Sequence, residues 1–546
     1  MKKYIHQLIC ALAVAGLLLA SCKKTEEQPT EPARIFKPGT LSVSAGATSA
    51  KLKWTQPLLS TGQNFKYSID FSKDSLFSTI AYTGSSDSLG YVVTEANISV
   101  RTKYFARVKA LATATQPESK YVVSSAFSLS GTQLFLPVRD SEIKETGVIL
   151  RFTAAAGLSS IVLSPPTGTA ITVALSSADV TAGLKVINGL SGSIKYSAEL
   201  FAGTVSKGFL SFTTLTATNY TSIIGPETDL ATTIAGAANG AVIGLRPGSY
   251  NLSSTATFIT QKSIVLKSTS GNPADTKINF KEIDLEGTGA GVTFSGIELD
   301  GTAGAALYFI NFIGSQANNA LAATFTNVVI DNCIVHDATT AFMRGDRGSA
   351  ARDFKINGIT VSNSIVYNCG ANGSSNYYTF HLNKMQFNTL TLSKSTFYNF
   401  GPGLVTASTT FSADPVPGVD ISYCTFNGFG GNAKYALLDA NANPVNFSIK
   451  NSIMANSPKS GTVVASAIRA SAAGIALSIA NTNYFNLNTT LAGGTALTFG
   501  TAALSGNLNV TLPWTADTND FTLPAGSALR TAGTGGTALG DPRWAY

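Results

Sequence analysis

Along most of this chain apolar and polar residues alternate with a period of two, the mark of strands whose successive side chains face opposite ways. From residue 328 to 484 the alternation is itself repeated, as VVIDNCIVHD, ITVSNSIVYN, LTLSKSTFYN, VDISYCTFNG, FSIKNSIMAN and LSIANTNYFN. The anchor residues Ile330, Val361, Leu392, Ile421, Ile449 and Ile479 are spaced 31, 31, 29, 28 and 30 residues apart. Apolar residues stand two before each anchor (Val328, Ile359, Leu390, Val419, Phe447, Leu477) and five after it (Val335, Val366, Phe397, Phe426, Met454, Tyr484). The third position after the anchor is always small: Cys333, Ser364, Ser395, Cys424, Ser452 and Thr482. Like residues at a near-constant period mean stacked coils, each closing its interior against the next. At about 3.3 Å per residue, about thirty residues make one coil of three short strands and their turns. The pattern predicts a parallel β-helix.

Upstream, residues 36–131 alternate strand-like runs with turns, including Lys51-Leu52-Lys53-Trp54, Phe65 to Ile69 and Tyr104 to Ala110. An early-strand Trp and a Tyr-x-Ala-Arg-Val-x-Ala strand resemble a fibronectin type III domain. The resemblance implies a β-sandwich that buries Trp54 between its sheets, as a spacer or stalk. Residues 132–216 read as a second, more divergent sandwich without that Trp. The segment 217–546 opens with Leu230 to Ala238, which has helical spacing, and continues with Ala241 to Tyr250. This resembles the start of pectate-lyase-like right-handed β-helices, where a short helix caps the open core. The far end closes with Gly540 to Trp544, and Trp544 is expected to pack over the last coil. The fold class is therefore all-β: two sandwiches followed by a right-handed parallel β-helix.

The N-terminus alone departs from the strand pattern. Lys2 and Lys3 precede an apolar run, Leu8 to Ala20, which ends in Leu19-Ala20-Ser21-Cys22. That ending resembles a lipoprotein signal (1–21) with its lipobox. The resemblance implies cleavage before Cys22, lipidation of Cys22 and, with Lys23 rather than Asp next, the outer membrane. Residues 22–35 are polar and contain proline, and read as a tether. Cys333 and Cys424 share an inward column three coils apart, too far for a disulfide, so they are expected as small buried residues. The formal net charge of +7 is modest for 546 residues, and no Lys/Arg run interleaved with aromatics points to nucleic acid.

Candidate chemistry lies on another strand of each coil. Its copies read AFMRGDR (341–347), YTFHLNK (378–384), GLVTAST (403–409), ALLDANA (436–442) and AIRASAA (467–473). With Met343, Phe380, Val405, Leu438 and Ile468 inward, Arg344, His381, Thr406, Asp439 and Arg469 form an outward column. Two residues on, Asp346, Asn383, Ser408, Asn441 and Ser471 form another. Arg347 and Lys384 adjoin it, Arg352 lies in the following loop, and Tyr377 and Tyr378 are placed to stack on sugar rings. The pectate-lyase-like resemblance implies polysaccharide, usually acidic, along such a groove.

Hydrolysis needs two convergent carboxylates, and Asp346 and Asp439 are three coils apart, roughly 14 Å. Elimination asks for a base and cations, for which Arg344, His381 and Lys384 are the candidates. Substrate contacts fall to Arg347, Tyr377, Tyr378, Thr406, Asp439 and Arg469. Asp346 and Asn383 are a thin ligand set for Ca2+. The architecture resembles surface lipoproteins of Gram-negative polysaccharide-utilisation systems, whose partners are glycans and other glycan-uptake proteins. The expectation is a glycan-binding lipoprotein; the alternatives are a polysaccharide lyase and a structural or adhesive surface protein.

Overall fold

The computed structural model describes residues 33–60, 62–349, 353–371, 375–408 and 415–546. The signal segment, Cys22, most of the tether and Arg352 lie outside the described residues. No described helix is long and apolar enough to cross a membrane. By compactness the chain divides into two units. The first runs to Phe135 and includes Phe152–Gly183 and Ser197–Ser211; the second holds Leu136–Arg151, Leu184–Tyr196 and Phe212–Tyr546.

In the first sandwich, Ser42–Ala45, Ser49–Lys53 and Gly90–Thr94 form one antiparallel sheet. Tyr82–Ser86, Tyr67–Ser72, Phe105–Ala110 and Val122–Val123 form the other. Trp54 is buried, as the resemblance implies, with its ring 5.2 Å from that of Tyr67. The second sandwich lacks the Trp but keeps another device. Tyr104 accepts a hydrogen bond through its hydroxyl from the Ser99 amide at 3.2 Å, and Tyr196 repeats this with the Ser191 amide at 3.1 Å. Both pairs pin a strand to the chain five residues upstream, as in the tyrosine corner of sandwich folds.

Among the described residues the coils stack into three parallel sheets of eleven, nine and eight strands. The first contains Val328 to Ile330 and its equivalents, the second Ile334–His336, and the third Ala341–Arg344. Every anchor residue is buried and pairs with the next anchor along the ladder. The corner between the first two sheets explains the repeat's fixed spelling. Two residues after each anchor, Asn332, Asn363, Lys394, Tyr423, Asn451 and Asn481 take φ between 46° and 54°. Asn is the non-glycine residue that tolerates this left-handed turn best.

The small residue that follows turns inward and bridges coils. Ser364 donates to its own chain at the Ser362 carbonyl (2.7 Å) and accepts from the Cys333 amide (3.0 Å). Ser395 and Ser452 repeat the arrangement, so the buried amides of the turn are satisfied without water. Cys333, Cys369 and Cys424 are free and buried. Their thiols are aimed at the carbonyls of Asp331, Tyr367 and Ser422, and burial pushes each thiol pKa upward.

The helix Leu230–Gly236 caps the open core with Leu230 and Ile234. Asp229 accepts from the amides of Ala231 and Thr232 at its start. At its end the Lys262 ammonium donates to the carbonyls of Ile234, Ala235 and Ala237 at 2.8, 2.8 and 2.9 Å, satisfying the exposed end of the helix. At the far end Phe499, 5.0 Å from the Tyr484 ring, covers the last coil.

Trp544 does not close that coil. The C-terminal segment runs back along the outside of the second sheet, where Gly540 bonds Asn451, Asp541 bonds Thr425 and the Trp544 indole bonds Thr396 at 2.7 Å. It buries Phe521, Leu523, Leu529 and Leu539 against Ile453 and Phe485, a second apolar layer outside the coil interior. An aromatic near the chain end finds apolar area on the sheet's outer face as readily as at its edge.

Candidate functional site

The third sheet carries one outward column through seven coils. Asp284, Asn311, Arg344, His381, Thr406, Asp439 and Arg469 are successive ladder partners. Their inward neighbours Ile283, Ile310, Met343, Phe380, Val405, Leu438 and Ile468 are buried in the core. The five positions from Arg344 onward are those aligned from the sequence. The second column drifts: a bulge after Asp439 sets Asn441 opposite Ala470 instead of Ser471.

Arg344 is the centre of a compact cluster. Its Nε donates to Asp346 at 2.6 Å, and its guanidinium lies over the rings of Tyr308 and Tyr377 at 4.9 and 5.4 Å. Burial opposes its charge, but the Asp346 ion pair overrides this and holds its pKa above the usual value. His381 is tucked beneath, its ring 4.3 Å from that of Tyr377. Nδ1 accepts from the Tyr378 amide at 3.3 Å, which leaves the proton on Nε2, 3.7 Å from Asp346. Burial depresses its pKa to about 4, helped by the Arg344 and Lys434 charges and opposed by Asp346. His381 is a neutral ring that orients, with neither nitrogen free to take a proton.

The other expected residues separate into distinct places. Asp439 and Arg469 form a two-pronged ion pair at 2.7 and 2.9 Å, with Arg469 over the Tyr435 ring at 4.8 Å. Thr406 is buried and donates to Asn383, so it presents nothing to a ligand. Tyr378 is buried as well: its hydroxyl accepts from the Tyr435 amide, and its ring is not available for sugar stacking. Lys384 sits in a turn with φ 55° beyond the strand.

The Asp346 and Asn383 pair does not fit a calcium ion. Asn383 Oδ1 already accepts from the Thr406 hydroxyl and from the amide and hydroxyl of Ser408. Asp346 is held by Arg344, so the two do not converge.

Two coils before Arg344 the sheet adds residues that the alignment did not reach. Asp284 accepts from the Asn311 side-chain amide at 3.2 Å. Burial and the neighbouring Glu282 carboxyl raise the Asp284 pKa to about 7, and burial raises that of Glu282. Arg347 and Arg344 pull the pair in the opposite direction. Tyr308, the other ring under Arg344, and Tyr435 were also missed. The runs KEIDLEG (281–287) and YFINFIG (308–314) carry the same inward-outward spelling as the later copies. Both lie before residue 328, upstream of the six repeats between which the other copies were aligned.

These contacts bear on both chemistries. Elimination by a cationic base requires neighbours that loosen its proton, whereas the aspartates tighten that of Arg344 and of Arg469. The sequence argument against hydrolysis counted only Asp346 and Asp439, and Glu282 and Asp284 extend that count. Yet Asp284 is buried and engaged by Asn311, so it is not free to flank a glycosidic bond. What the face offers is polar side chains and ring surfaces repeated at roughly 4.8 Å per coil.

Residues 248–400, well under half of the chain, match a family model described as a domain of unknown function, DUF4957. That stretch includes Glu282, Asp284, Asn311, Arg344 and His381. None of the curated proteins matches the chain. Solved structures to which it is similar include a two-domain fibronectin type III segment of chicken tenascin, at 16% identity and TM-score 0.18, covering 32% of this chain and 97% of that one. The FN1–FN3 domains of chicken CNTN1 are 12% identical with TM-score 0.16, covering 34% and 66%. The central fibronectin-III array of RIM-binding protein is 14% identical with TM-score 0.14, covering 34% and 63%. These likenesses, low in identity and in TM-score, carry no activity over to this chain.

Proposed function

We propose that this protein is a surface lipoprotein that holds polysaccharide along the third sheet of its β-helix. The single observation that supports the reading is the outward column, polar at seven successive coils and flanked by Tyr308, Tyr377 and Tyr435. A column that stays polar from coil to coil, with Thr406 alone turned to Asn383, suits an extended polymer better than a compact ligand. Anchoring through Cys22 in the outer membrane, with the sandwiches as spacers, and cooperation with other glycan-uptake proteins belong to the same proposal. The preference for an acidic, uronate-like polymer came from the pectate-lyase-like resemblance. With Arg344 and Arg469 engaged by Asp346 and Asp439, recognition through hydroxyls and ring faces takes the larger share, and acidic units fall to Arg347 and Lys384.

The test uses the soluble protein from Lys23 onward on a panel of neutral and uronate polysaccharides. Migration through gels containing each polymer reports binding, while ultraviolet absorbance and reducing-end assays report cleavage. Retardation by at least one polymer without new chain ends is the expected result. Unsaturated uronide ends would establish a lyase instead, and no retardation by any polymer would favour the adhesive reading.

A further inference from the structure

We propose that Glu298, Asp300 and His336, on the outer face of the second sheet, form a site for a divalent transition-metal ion such as Zn2+. The site lies apart from the third-sheet face and does not depend on the polysaccharide reading. Glu298–Asp300 and Ile334–His336 are neighbouring strands of consecutive coils, with Asp300 directly opposite His336. Leu299 and Val335 are buried in the core, so the residues on either side of them turn outward. One ligating atom from each of Glu298, Asp300 and His336 lies within 4.8 Å of the other two. The Glu298 and Asp300 side chains keep 21% and 15% of their surface exposed, so an ion reaches them from solvent.

His336 is oriented as a metal ligand. Its Nδ1 is 2.6 Å from Asp337, which also accepts from the Asn368 amide and the Thr302 hydroxyl and is thereby fixed. The Tyr367 ring lies flat against the imidazole at 4.7 Å. A carboxylate that holds the proton on Nδ1 leaves Nε2 with its lone pair, the arrangement such carboxylates impose on zinc-bound histidines. That lone pair is aimed at the Glu298 carboxylate, 3.2 Å away. Two acceptors at that distance repel unless a proton or a metal ion lies between them. One imidazole and two carboxylates suit Zn2+ better than Ca2+, which takes about six to eight oxygens. The Lys277 ammonium, 2.7 Å from Glu298 and 3.2 Å from Asp300, already marks the place as one for positive charge. It sits on a flexible stem, and a divalent ion displaces it. The bound ion staples two coils and keeps a position open to water.

The test is calorimetry at about pH 8 of the soluble protein from Lys23 onward, untagged and stripped with chelator. Zn2+ and Ca2+ are the probes, with melting temperature as a second reading. Zn2+ should bind at a single site and raise the melting temperature, and Ca2+ should bind far more weakly. His336→Gln should abolish both zinc effects, and Asp337→Asn should weaken zinc about tenfold by releasing the ring. Lys277→Met should tighten zinc severalfold, because the competing ammonium is gone. If the cluster were only an ion-pair network, Lys277→Met would lower stability and zinc would restore none of it; that outcome overturns the site. So does zinc binding that survives His336→Gln, which marks an adventitious ion only, and so does Ca2+ that binds as tightly as Zn2+. Should His336→Gln fail to fold, Lys277→Met and Asp337→Asn decide.

Discussion

The corner between the first and second sheets and the outward face of the third are cut from the same coils but follow different rules. At the corner, each coil repeats one left-handed residue and one small inward hydroxyl or thiol, and each of these bridges to the next coil. On the third sheet, each coil instead contributes a different side chain: a carboxyl, an amide, a guanidinium, an imidazole. The corner must repeat because its polar atoms are sealed from water and can only be satisfied by the identical atoms above and below. The outward face is under no such demand, and the loops entering it vary in length. Uniformity marks what holds the coils together, and variety marks where a ligand would be read.

The severest way to break that comparison is to charge the uniform part. Val366 is buried at the position five after the anchor. Val366→Asp should cost several kcal/mol, enough to remove the cooperative melting of the β-helix, because a buried carboxylate there has no partner. A folded Val366→Asp protein by circular dichroism and calorimetry would mean that the coils are far looser than described.

The next effect separates two groups of the outward face by pH. His381 has its pKa lowered from 6.5 to about 4, so the folded state resists the proton that the unfolded chain accepts. Its contribution is present above about pH 6.5 and is lost as pH falls toward 4. Asp284 has its pKa raised from 3.8 to about 7, so the folded state holds a proton that the unfolded chain gives up. Its contribution is present below about pH 3.8 and is lost as pH rises through 7. Each is on the order of 3 kcal/mol, and between those limits they offset one another. Asp284→Asn should make stability rise more steeply with pH over this window, and His381→Gln should make it fall. Denaturant midpoints measured from pH 4 to 8 that run parallel for all three proteins would sink the assignment.

Those two residues also show how much was legible. The spacing of Ile330, Val361, Leu392 and their successors gave the β-helix, because the sealed core forces like residues into register. The order of Arg344, His381, Thr406, Asp439 and Arg469 followed from their apolar neighbours. What alternation could not show was pairing. That Arg344 turns to Asp346 and Arg469 to Asp439, or that Tyr378 is buried against the Tyr435 backbone, depends on side-chain reach across coils. Asp284 and Asn311 stayed hidden because their strands precede the six repeats that framed the alignment, although they carry the same apolar flanks.

A smaller effect is expected at the corner. Ser364→Val removes the hydroxyl that the Cys333 amide bonds and should cost about 1–3 kcal/mol, the range for stranding one buried donor. Ser364→Cys should cost less, because Cys333 and Cys424 already occupy equivalent positions with their thiols aimed at carbonyls. Equal melting temperatures for the Val and Cys variants would show that the bridging bond contributes nothing.

Least costly to the fold, and most informative about the face, is Arg344→Ala. Its guanidinium is half-buried between Tyr308 and Tyr377, and its loss leaves Asp346 with water on one side and the His381 Nε2 proton on the other. The stability change should stay at about 1–2 kcal/mol, since the ion pair is mostly covered but still reached by water. Affinity for the cognate glycan should nonetheless fall about tenfold or more, because the two rings lose the cation that fixes their spacing. Arg344→Lys keeps the charge but not the flat stack, and should recover stability without recovering affinity. If Arg344→Ala melted far below the unaltered protein while binding glycan normally, the outward face would belong with the corner as scaffold, and the contrast between them would be gone.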